Sequence, residues 1–137
     1  MKKSVRIITG ALGFMMVLPG LAKFTEPFKT FIYQHLEIIG FPFPSAMQYV
    51  VKFSELAVGF ALIFLAIKGN TIDQKFRRVL FTSANLIVVV MMIVAIYTHL
   101  HPDIPAEILP MEYKPPLMGI SYIILVVINF YLDRRNA

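Results

Sequence analysis

Runs of apolar residues, each about as long as a bilayer is thick, alternate along this chain with short polar stretches. A helix rises roughly 1.5 Å per residue, so about 20 apolar residues cross the hydrocarbon core. Four segments reach or approach that length: about 5–22, 46–67, 79–98 and 116–132. The last is short, and Tyr113 and Tyr131 at its flanks suit the interfacial girdle of a thin or little-tilted crossing. Ser45 to Gln48 and Thr71 to Gln74 read as capping boxes, Gly69-Asn70 as a left-handed helix stop, and Pro115-Pro116 as a helix start. Between the first two spans, Phe28, Phe31, Ile32, Leu36 and Ile39 recur at helical spacing among polar neighbours. That pattern predicts a short helix lying in the interface. Residues 101–114 hold Pro102, Pro105 and Pro110 and predict an ordered loop.

Small and polar residues on the spans follow their own period. Thr9, Gly13, Met16, Gly20 and Lys23 fall on one face of the first helix. Ser45, Gln48, Lys52, Glu55 and Gly59 do so on the second, and Gly119, Tyr122, Val126, Asn129 and Asp133 on the fourth. On the third, Thr82, Asn85, Met92, Ile96 and His99 lie broadly together. Lipid accepts a wholly apolar surface, so such stripes belong where helices meet. The expected fold class is all-α: an antiparallel four-helix membrane bundle with an interfacial helix, forming one domain over 1–137. Most of these residues need no role beyond packing it.

Composition agrees. Of the 137 residues 58% are hydrophobic and only 15% charged, so the natural solvent is lipid. The absence of cysteine excludes thiolate catalysis, disulfide exchange and Cys-ligated clusters. A net charge of +5 could point to nucleic acid, but its distribution points to a membrane instead. Lys2, Lys3, Arg6, Lys68, Lys75, Arg77, Arg78, Arg134 and Arg135 share one side of four crossings, nine of the thirteen basic residues. That places both termini and the middle loop in the cytoplasm. Met1-Lys-Lys-Ser followed by an apolar core and Gly20-Leu-Ala22 also fits a signal peptide. The core is long for that role, and the first segment is read as a span.

Glu55 is the most informative single residue. A charge near the middle of a span costs about 2.5–3.5 kcal/mol on insertion scales, so it needs a partner, water or a proton. Lys52, one turn away on the same face, is the nearest candidate partner, and Lys23 at the outer end of the first span is the second. With His99 these residues form a candidate polar pocket open to the outside. There a carboxylate could exchange protons or hydrogen-bond a quinone carbonyl or similar head group. The same residues could instead be a buried ion pair that sets helix register. A metal at His99 and His101 would need extended backbone between them and a further ligand, so they are weak candidates.

Gly20-Leu-Ala-Lys23-Phe24 resembles the G-x-x-K-[LF] motif that closes the first span in DoxX and DoxX-like membrane proteins. Glu55-Leu-Ala-Val-Gly59 resembles their E-L-x-x-G segment, and span order and length match over nearly the whole chain. The chain departs from that pattern in the methionines of its third span and its proline-rich loop. The resemblance implies a four-helix bundle attached to quinone-linked oxidoreductase subunits, as an accessory subunit without catalysis of its own. No haem pair, nucleotide fold or nucleophile–base pair is visible in the residues themselves. Two other readings stand beside it. One is a small-molecule or proton-coupled transporter, which with four spans would form a homo-oligomer; the other is a purely structural assembly factor.

Overall fold

The structure is a computed structural model of the chain, in which residues 1–135 are described. Its elements are α1 (Lys3–Ala22), α2 (Phe28–Ile38), α3 (Pro44–Lys68), α4 (Gln74–Leu100) and α5 (Leu117–Arg135), with 3-10 turns at Ala106–Ile108 and Pro110–Glu112. No strand occurs among the described residues. The four long helices are each long and apolar enough to cross a membrane, and α2 is the short helix between the first two.

The helices outrun the apolar segments because hydropathy and helix length are set by different forces. α4 begins at Gln74, five residues before the apolar run, because Asp73 caps it by accepting the Lys75 and Phe76 N–H groups at 3.1 and 3.2 Å. The cap is therefore Asp73, and Thr71 instead donates its hydroxyl to the Lys68 carbonyl at the end of α3. Ser45 caps nothing either: α3 starts at Pro44, and Phe43 before it is in the left-handed region (φ 52) without a side-chain cap. Gly69 is right-handed, with its N–H still bonded to Leu65, so α3 ends without a left-handed residue there. Pro116 does open α5, its carbonyl accepting the Ile120 N–H.

Consecutive spans run antiparallel in a ring, α1 against α3, α3 against α4, α4 against α5 and α5 against α1. α1 and α3 meet most closely. A Cβ added to Gly13 would stand 2.7 Å from the Gly59 carbonyl oxygen, and one added to Gly59 would stand 2.9 Å from that of Gly13. Only glycine at both positions lets the two backbones touch. Leu12, Met16, Val58, Leu62, Ala84, Val88, Met92, Tyr122 and Val126 fill the interior from all four spans.

Most stripe residues mark the interior, while Lys23, Ile96, His99 and Asp133, toward the helix ends, are half-buried. Thr9, Gly13, Met16, Gly20, Gln48, Lys52, Glu55, Gly59, Asn85, Gly119 and Asn129 are buried, whereas Ser45 and Thr82 are exposed. Ser45 lies in the first turn, beyond the end of the bundle, and the interior line on α4 runs through Phe81 and Ala84 instead. The outward faces carry Ile7, Phe14, Val90, Ile93, Ile124 and Val127, all more than half exposed. In water such a surface would aggregate, and in lipid it is solvated. The protein is a multi-pass membrane protein.

Candidate functional site

Glu55 enters the bundle from α3 and is 6% exposed. Its carboxylate accepts two hydrogen bonds from the Lys23 ammonium, at 2.7 and 2.9 Å, forming the only ion pair among the described residues. Lys23 follows the last turn of α1, and Gly20 lies one turn earlier against the Cβ of Glu55. The small residue brings the two helices close, so the lysine stem can reach inward.

Lys52 does not join this pair, contrary to the nearest-neighbour expectation. Side chains on a helix lean toward its N-terminus. Lys52 accordingly leans toward Gln48, donating to its Oε1 at 3.3 Å, and away from Glu55. Its ammonium sits 5.0 Å from the Phe24 ring centre and 4.8 Å from that of Tyr49, a cation–π enclosure that leaves the residue fully buried.

His99 is also taken up elsewhere. A carbonyl can only accept, so the 3.2 Å contact between Nδ1 and the Lys114 oxygen makes Nδ1 the protonated nitrogen. His101 Nδ1 accepts the Asp103 N–H at 3.1 Å. The backbone between them is not helical at His101 (φ −66, ψ 127). Among the described residues no three His, Cys, Asp or Glu side chains converge as a metal site requires. The structure thus unites Lys23 with Glu55 and distributes Lys52, His99 and His101 to three separate settings.

His35 takes a place that sequence reasoning passed over. α2 buries Ile32 and Leu36 and thereby turns His35 toward the loop. There Nε2–H donates to the Ile108 carbonyl at 2.6 Å. Burial holds the imidazole pKa below its ordinary 6.5; the Ile108 carbonyl opposes this, while His99 and Lys23 add to it. The loop is anchored in return by buried Ile104 and Leu109 and by the Lys114 ammonium, which donates to the carbonyls of His101 and Ile104. The signal was present in sequence, since His35 is flanked by Ile32 and Leu36 at helical spacing.

Lys23 and His35 both border a groove of about 290 Å³ between α1, α2, the loop and α5. Leu18, Ala22, Phe31, Ile32 and Met118 make it largely apolar. Of the four residues expected in a polar pocket only Lys23 lines this groove, which has that ammonium and the His35 imidazole at its edge. An amphipathic molecule with a flat head and an oily body has matching chemistry.

A second polar cluster lies deeper toward the Met1 end. Asn129 Nδ2 donates to Thr9 Oγ1 at 3.1 Å and to Asn85 Oδ1 at 3.2 Å, and Asn85 Nδ2 donates to the Phe81 carbonyl at 2.8 Å. All three stripe residues were legible singly, but their convergence was not. No family model, no curated protein and no solved structure matches the chain.

Proposed function

We propose that this membrane protein is a non-catalytic, DoxX-like accessory subunit that holds a quinone-type molecule for a membrane oxidoreductase system. One observation carries the reading: the apolar groove of about 290 Å³ borders on Lys23, whose ammonium is already oriented by Glu55. An ammonium donor at the edge of an apolar slot suits a quinone carbonyl, with the ring among Phe31, Ile32 and Leu18. His35 at the same edge supplies a neutral imidazole.

The oxidoreductase connection rests on the Gly20-Leu-Ala-Lys23-Phe24 and Glu55-Leu-Ala-Val-Gly59 resemblance. Because the chain has no cysteine, any electron transfer would be carried by a bound cofactor or by the partner. By the distribution of basic residues, the groove faces the outer side of a bacterial cytoplasmic membrane and both termini face the cytoplasm.

The test is titration of detergent-purified protein with a short-chain ubiquinone analogue, followed by intrinsic tyrosine fluorescence. Saturable binding should weaken about tenfold in Lys23→Met and persist in Lys52→Met, which removes an equal charge outside the groove. Ile32→Trp should fill the slot and abolish binding. An unmodified protein that shows no saturable quenching would end this reading in favour of a purely structural role.

A further inference from the structure

At the opposite end of the bundle, a cleft of about 710 Å³ opens between the start of α4 and the end of α5, beside Met1. Its apolar wall includes Phe81 and Phe130, packed edge to face with ring centres 5.7 Å apart. Three guanidiniums line it, Arg77, Arg78 and Arg134, against the one carboxylate of Asp133. Arg77 donates to the Gly69 carbonyl at 3.2 Å, which fixes it in place and leaves its other donors free to turn inward. Arg78 and Arg134 have no hydrogen-bond or ion-pair partner among the described residues. The cleft thus combines unspent planar donors, an excess of positive charge and an aromatic floor.

We infer that this cleft binds the phosphodiester headgroup of an anionic phospholipid. The guanidiniums of Arg78 and Arg134 take the phosphate oxygens, since the planar fork matches that geometry. The acyl chains leave over Phe81 and Phe130 and run down the outer faces of α4 and α5, where Val79, Leu86 and Val127 are exposed. Two features favour a lipid over a free phosphate ion. The cleft lies at the ends of two spans, where headgroups are, and its wall is aromatic, which offers nothing to a free ion. The site stands on residues separate from the quinone groove and does not depend on that reading.

The test is reconstitution into vesicles of equal phosphatidylglycerol and phosphatidylcholine, re-extraction, and mass spectrometry of the lipid retained per protein. Unmodified protein should retain phosphatidylglycerol over phosphatidylcholine by about tenfold. Arg78→Gln with Arg134→Gln should remove that preference. Lys2→Gln with Lys3→Gln, which takes the same charge from the same end outside the cleft, should keep it. Equal retention of both lipids by unmodified protein would overturn the proposal, as would an equal loss in the two double variants. Millimolar inorganic phosphate should leave the retained lipid in place, and its displacement would replace the lipid site by a simple anion site. Should the glutamine pair fail to fold, Arg78→Lys with Arg134→Lys keeps the charge but loses the fork. It should lower the preference several-fold, and unchanged preference there would remove the guanidinium assignment.

Discussion

Glu55 shows how a single residue can be legible and its partner not. Its need for compensation follows from its place in an apolar span, but two lysines were in reach and helix lean selected Lys23. Removing one member of a buried pair costs roughly 3–5 kcal/mol, and Lys23 at 22% side-chain exposure can partly turn to the interface. Glu55→Gln should therefore lower stability by about 1–3 kcal/mol in detergent unfolding. Glu55→Leu combined with Lys23→Leu should recover most of it, because neither charge is then stranded. Additive losses would show that the two residues are not coupled. His35 makes a prediction in pH. Its folded pKa lies below 6.5, so the folded state prefers the neutral ring. The stability it contributes is complete above 6.5, falls as the pH drops from 6.5 to the lower folded value, and changes no further below that. Thermal unfolding at pH 8 and pH 5 should show a difference that shrinks in His35→Gln; equal differences in the two proteins would contradict it.

At the scale of elements, the closest approach in the bundle is made by the smallest residues. Gly13→Ala places a methyl 2.7 Å from a backbone carbonyl, whereas Gly10→Ala meets only the Ala66 methyl at 3.3 Å. Overpacking of the first kind costs about 1–3 kcal/mol, so Gly13→Ala should lower the melting temperature clearly and Gly10→Ala little. The converse ranking would place the α1–α3 contact elsewhere. Asp73→Ala should remove about 1 kcal/mol from α4, measurable in the same unfolding experiment. The existence of each span was legible because about twenty apolar residues have one stable home. Its first and last turns were less so. Polar residues such as Gln74 and Arg77 remain helical past the apolar run, and several side chains nearby can serve as caps.

For the whole molecule, the belt of exposed apolar residues and the polar ends set a lipid-solvated bundle, and charge asymmetry predicts its direction. Because the chain has no cysteine, single cysteines report orientation cleanly. Lys2→Cys should react with a membrane-impermeant maleimide only after cells are opened, and Asp103→Cys in intact spheroplasts. The reverse pattern would invert the topology and move the groove beside Lys23 and His35, where we propose quinone binding, to the inner face. What the sequence determined alone was the number of spans, their stripes and the interfacial helix, because bilayer thickness and helical period act on one segment at a time. What only the tertiary structure decided was which polar groups meet: Lys23 with Glu55, Asn129 with Thr9 and Asn85, and His35 with Ile108. Those pairings depend on how neighbouring helices are rotated and how deeply each is set, and no single helix contains that information.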